Sequence, residues 1–194
     1  MARRRTNPAR RGFNGKCARV VAATLDDVKA FRTAKGGGQK PVVLELKFTP
    51  DMNKKDFNRK AKDLVRLGNQ GRLKRVLNTK SLRDPKLTSK HRSDMIAKTA
   101  RNHKGNPKLK QILEQFRGTE KGADGKVRPK SITHKGQIRD PDHIHELQLG
   151  GPDDVSNLRW MDAYTNRKMG REIYEAMEAA GVKEGTPIIV RLVR

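Results

Sequence analysis

Positive charge is crowded into the first 139 residues of this 194-residue chain. The whole chain has 45 Lys and Arg against 21 Asp and Glu, a formal net charge of +24, yet residues 140–194 hold ten acidic and seven basic side chains. So dense a run of one sign repels itself on compaction. With 34% hydrophobic and only 4% aromatic residues, the expectation is a modest core over part of the chain. A field of this sign attracts polyanions, and nucleic acid fits it because each neutralised phosphate releases a counterion. A solvated basic surface on a ribosome-associated or chromatin-like protein would carry the same charge. The acidic last third suits a different task, holding something cationic.

Cys17 is the single cysteine, so neither an internal disulfide nor a Cys-x-x-Cys zinc site is available. No apolar run approaches the roughly 18 residues of a membrane helix. Arg3, Arg4 and Arg5 are not followed by an apolar stretch, so no Sec signal peptide is expected.

Residues 1–19 read as a basic arm, and 20–34 as a helix carrying Val20, Val21, Leu25, Val28 and Phe31, started by Thr24, Asp26 and Asp27. Gly36-Gly37-Gly38 reads as a linker. Residues 41–48 alternate as a strand. Thr49-Pro50-Asp51 is expected to open a helix through Phe57, Ala61, Leu64 and Leu67, stopping near Gly68. Residues 69–88 are polar. Ser89 is expected to start a helix to about Asn102, and Asn106-Pro107 a shorter one to about Phe116. Residues 118–137 read as an exposed loop. Next come a short strand at 143–149, a turn at 150–154, a second strand at 157–161, and a helix over about 163–180 that Gly181 ends. A strand at 187–193 closes the chain.

Chemistry concentrates in Asp140-Pro141-Asp142-His143-Ile144-His145-Glu146-Leu147-Gln148-Leu149-Gly150-Gly151-Pro152-Asp153, followed by Asn157 and Asn166. A strand–loop–strand–helix folds back on itself, so Asp142, His143 and Asn166 can converge. Phosphodiester hydrolysis needs a water, a base and a cation. Histidine titrates near neutrality and suits the base. Asp and Asn oxygens suit a hard divalent ion that stabilises charge on the phosphate.

The segment Asp-His-Ile-x-Glu-Leu-Gln-Leu-Gly-Gly-Pro-Asp at 142–153, with Ser-Asn-Leu-Arg at 156–159 and Thr-Asn at 165–166, resembles the HNH (ββα-metal, His-Me finger) endonucleases. More narrowly, it is similar to the C-terminal nuclease domains of bacterial polymorphic toxins. The stretch 46–53 also looks like what precedes such domains. The resemblance is specific over 140–194, suggestive over 40–139 and absent over 1–39.

It implies an α+β fold: a C-terminal ββα-metal core at 140–194 as the catalytic module, and an upstream basic, mostly helical region at 40–139 with one strand, binding nucleic acid. Residues 1–39 would be an N-terminal arm and linker. His143 would be the general base, and Asn157 would brace the loop that orients it. Asp142 and Asn166 would hold the metal. Asn166 stands where many members have a second histidine, which favours an oxygen-ligated Mg²⁺ or Mn²⁺ over Ni²⁺ or Zn²⁺. Asp140 competes with Asp142 as ligand, and His145 would share a strand face with His143 and compete as base. Glu146 would support the loop.

Arg139, Arg159, Arg167, Lys168 and Arg171 are candidate phosphate contacts, or ordinary solvated charges. Gly150 and Gly151 read as turn residues, Trp160 as core, and His91, His103 and His134 as surface. The resemblance implies a nuclease of DNA, ahead of RNA, delivered into a target cell by a specialised system and neutralised by an acidic immunity protein. A non-catalytic nucleic-acid-binding protein and a phage or homing-type nuclease are the alternatives.

Overall fold

Three strands from distant parts of the chain build the main sheet. A computed structural model of the chain describes residues 12–35 and 39–194; residues 1–11 of the expected arm and the Gly36-Gly37-Gly38 linker lie outside the described residues. β1 (Ala18–Ala22) pairs antiparallel with β2 (Val42–Lys47), and β2 pairs parallel with β7 (Ile188–Val193). β2 is the central strand, and its Val-Val-Leu-Glu-Leu run is buried from Val43 to Leu46. Residues 18–22 are thus sheet, and the helix expected from residue 20 is confined to α1 (Leu25–Lys35). The tertiary pairing of Val20 with Leu44 and Val21 with Val43 takes the β-branched residues that local periodicity had placed on the helix.

Alternation along the strands divides the sheet into two faces. Leu44, Leu46, Ile188 and Val190 point into the core, against α2 (Lys54–Asn69) and α5 (Ala163–Ala179). Phe57, Ala61, Leu64 and Leu67 of α2 and Met169, Ile173 and Met177 of α5 fill it. The other face carries polar pairs: Arg19–Glu45 at 2.7 Å and Arg191–Asp27 at 2.8 Å. α2 packs on β7 so closely that a Cβ on Gly68 would stand 2.9 Å from the Val190 backbone nitrogen. The division at 39/40 follows the glycine linker and that at 139/140 follows charge; neither separates hydrophobic cores. One sheet and one cluster draw on all three stretches.

Several boundaries move for identifiable reasons. Thr49 does not cap α2; Asn53 does, its Oδ1 accepting from Asp56 N at 3.1 Å. α3 (Pro85–Asn102) starts four residues before Ser89, because Asp84 caps it and Pro85 takes the first helical position. α4 (Leu109–Glu114) is a short helix, and the expected loop at 118–137 contains a hairpin of β3 (Thr119–Lys121) and β4 (Val127–Pro129). The segment 73–76 threads between the start of β7 and the 147–149 turn. There Ile188 N donates to Leu73 O at 3.0 Å and Lys74 N to Leu149 O at 3.1 Å.

The strand expected at 143–149 lies earlier. β5 is Arg139–His143, antiparallel to β6 (Leu158–Asp162), and α5 follows β6 directly. The class is mixed α+β, with five α-helices among the described residues. No helix among them is long and apolar enough to cross a membrane.

Candidate active site

The β5–β6 hairpin and α5 position most of the expected residues. Asp140 and Asp142 alternate onto one face of β5, and Arg159 of β6 lies opposite Asp142 in register. Asp162 ends β6 and caps α5, accepting from Thr165 N at 2.9 Å. Asn166 therefore falls in the first turn of α5, beside the hairpin. A cleft of about 500 Å³ is lined by Asp140, Asp142, His143, Glu146, Asn166 and Arg167 among others.

His143 is the last residue of β5 and its side chain is 5% exposed. Its Nε2 lies 2.7 Å from Asp153 Oδ1. An ionised carboxylate only accepts, so Nε2 donates the hydrogen, and in the tautomer that can act as a base the lone pair is at Nδ1. The other Asp153 oxygen accepts from Asp84 N at 2.5 Å. Burial alone would raise the Asp153 carboxyl. The Asp84 amide, His143 and the nearby Arg83 outweigh it and hold it below its ordinary value. Asp153 was legible only as part of a turn, because nothing local to it indicates that the turn folds back onto His143.

Asp142 sits deeper, against a residue that no motif signalled. Lys60, from the middle of α2, has no exposure; its Nζ bonds Asp142 Oδ1 and lies 2.5 Å from Glu146 Oε1. Arg159 Nε approaches the second Asp142 oxygen at 3.5 Å. Burial raises the Asp142 carboxyl against the opposing pull of Lys60. Burial also works against the Lys60 ammonium, but Asp142 and Glu146 outweigh it and hold the ammonium above its ordinary value. The signal for Lys60 was its helical spacing from Phe57 and Leu64, which puts it on the buried side of α2.

Between β5 and β6 the loop is closed by Asn157. Its Oδ1 accepts from His145 N at 2.9 Å, and its Nδ2 donates to His145 O and Pro152 O, both at 2.8 Å. Gly150 adopts φ +87°, and a Cβ on Gly151 would stand 1.9 Å from His145 O. Because β5 ends at His143, His145 does not share its face. The His145 ring turns away and donates from Nε2 to Leu149 O at 2.9 Å, and burial lowers its basicity. His145 is a loop brace in this geometry, and it does not line the cleft.

The five expected phosphate contacts separate. Arg159 bonds Asp63, and Lys168 bonds Asp51 at 2.6 Å; each side chain is at most 13% exposed. Arg139 and Arg171 are exposed, within 4.0 Å of Asp56 and 3.7 Å of Glu175 respectively. Only Arg167 lines the cleft, its Nε donating to Asp140 Oδ2 at 2.8 Å. Arg92 of α3 takes the other Asp140 oxygen at 3.0 Å. Both Asp140 oxygens are thus taken by guanidinium groups. His91, expected at the surface, is half-buried with its ring stacked on Trp160 at 5.6 Å. Trp160 is 8% exposed and also meets Phe116 edge-on at 4.9 Å. His103 and His134 are exposed.

Whether these donors fit a metal turns on what kind. Among the described residues no three His, Cys, Asp or Glu side chains are grouped to cage an ion. A Mg²⁺-type ion needs no such cage, since it takes one or two carboxylates and keeps water and phosphate as its other ligands. Asp142 Oδ2 is buried in the cleft wall with no hydrogen-bond partner, its neighbouring charge being Arg159 Nε at 3.5 Å, and Asn166 lines the same cleft. That all-oxygen pair fits a hard ion. A histidine-rich zinc or nickel cage does not fit, because His145 is turned to Leu149 O. No family model, curated protein or solved structure matches the chain.

Proposed function

We propose that the chain is a divalent-metal-dependent endonuclease, with DNA as its substrate, built on an HNH-like strand–strand–helix core. The observation that carries this is a single cleft lined by His143, Asp142 and Asn166, with the imidazole held by Asp153. His143 is the general base: Nδ1 accepts a proton from water as its oxygen bonds the phosphorus and the bond to the leaving oxygen breaks. Asp153 fixes the ring orientation and offsets the imidazolium that forms. Asp142 and Asn166 would hold the ion, which when bound supplies positive charge to the phosphate oxygens and the leaving group. Asn157 keeps the loop closed behind His143.

The setting that goes with this reading is an antibacterial toxin domain, delivered into a target cell and neutralised by an acidic immunity protein. A net charge of +24 would draw such a partner quickly.

Supercoiled plasmid tests the chemistry. The wild-type chain should nick it with Mg²⁺ or Mn²⁺ and stop with EDTA, and His143→Ala should be slower by roughly 10²-fold or more. Full-rate cleavage by His143→Ala would remove the assigned base. Absence of cleavage across Mg²⁺, Mn²⁺, Ni²⁺ and Zn²⁺ would end the nuclease reading. Growth arrest of a bacterial host by the wild type, relieved by the same substitution, tests the setting.

A further inference from the structure

Arg83 stands apart from the other arginines of the cleft. Arg83, Arg92 and Arg167 all line it. Arg92 bonds Asp140 and two backbone carbonyls, and Arg167 bonds Asp140. The Arg83 side chain is exposed and makes no hydrogen bond or ion pair among the described residues, though its charge acts on the nearby Asp153 carboxylate. A guanidinium facing a cleft with nothing to bond retains all of its donors for a ligand.

The backbone that presents Arg83 is tied down. Leu82 N donates to Thr79 O at 3.3 Å and Arg83 N to Lys80 O at 3.4 Å, forming the turn that leads into α3. The next residue, Asp84, caps α3 with its side chain and donates its N–H to Asp153 Oδ2 at 2.5 Å. Asp153 is the same carboxylate that holds His143. One side chain therefore registers the Arg83 turn against the base. Thr79 lines the same cleft and adds a hydroxyl, while Thr88 donates its own to Pro85 O at 3.2 Å.

We infer that Arg83, with the Thr79 hydroxyl, forms a phosphate subsite that grips a DNA backbone phosphate flanking the one positioned at His143. This rests on the nuclease reading for its substrate. Arginine suits the task because its planar fork meets two phosphate oxygens at once. The grip lies upstream of the motif-bearing segment, so cleavage draws on both parts of the chain. Because Asp153 ties the Arg83 turn to the His143 ring, the subsite sets where along the backbone the neighbouring phosphate sits relative to the imidazole.

The test separates binding from cleavage. A fluorescein-labelled DNA duplex is titrated with the His143→Ala chain and with the same chain carrying Arg83→Ala, over a salt series, in EDTA. Loss of Arg83 should weaken binding roughly tenfold at 0.1 M salt and reduce the salt slope by about one unit. Arg83→Lys should restore most of the slope, since the charge returns, and less of the affinity, since the fork does not. In the otherwise wild-type chain Arg83→Ala should raise KM more than it lowers kcat. Unchanged affinity and slope, with an unchanged melting temperature, would overturn the subsite and leave the nuclease reading intact. A wild-type chain that binds DNA through Arg83 but fails to cleave it in Mg²⁺, Mn²⁺, Ni²⁺ or Zn²⁺ would retain the subsite and end the nuclease reading.

Discussion

Lys60 carries an ammonium with no solvent exposure, and its partners are two carboxylates of the candidate site. Taking an ion from water costs several kcal/mol, which its mutual attraction with Asp142 and Glu146 offsets only while all three are present. Lys60→Met should therefore destabilise the fold by about 3–5 kcal/mol, read as a drop in the urea midpoint, because it leaves Asp142 buried with only the more distant Arg159 as counter-charge. A loss below about 1 kcal/mol would mean that Asp142 is not held in this way. Asp153 acts at the same scale, with one oxygen on His143 and the other on the Asp84 amide. Neither residue follows from its neighbours in sequence. The Asp142-His143 dipeptide is legible locally; its two partners are supplied by α2 and by the return of the loop.

The element that sets the site is the loop between β5 and β6. Its path depends on backbone that a side chain would block. Gly151→Ala puts a Cβ within 1.9 Å of His145 O, and backbone cannot yield as a flexible side chain does. The loop would have to move, and Asn157 would lose its contacts to His145 and Pro152. Gly151→Ala should cost about 2 kcal/mol or more in stability and slow cleavage, since Asp153 follows two residues later. A variant that melts and cleaves as wild type would show that the loop tolerates another path. Gly-Gly as a turn was legible in the sequence, and so was a helix after the second strand. The strand boundaries were not. β5 starts at Arg139 because it pairs with Asp162, a long-range choice that hydrophobic alternation over 143–149 does not encode. The face shared by His143 and His145 was lost with that boundary.

At the scale of the whole molecule, the motif-bearing segment leans on the rest. β7 pairs with β2, not with β5 or β6, and the main sheet runs β1-β2-β7. Met169, Ile173 and Met177 of α5 pack in one cluster with Phe57 and Leu64 of α2 and Leu44 of β2. Removing residues 12–139 would expose that face and uncover Asp142 where Lys60 seals it. A fragment of residues 140–194 should therefore lack a cooperative thermal transition by circular dichroism, while the full chain has one. A fragment that melts cooperatively and nicks plasmid would show that the C-terminal segment stands alone.

From the order of residues came the mixed α+β class, the final strand–strand–helix order and the grouping of Asp142, His143 and Asn166. All of these rest on short-range periodicity and on a motif compact enough to read in one stretch. What surrounds those residues came from folding: Lys60 on Asp142, Asp153 on His143, Arg92 on Asp140, the burial of Asp142, and the pairing of β2 with β7. Such contacts join positions ten or more residues apart. Their energy depends on desolvation and hydrogen-bond geometry after the chain has closed, and these have no local periodicity.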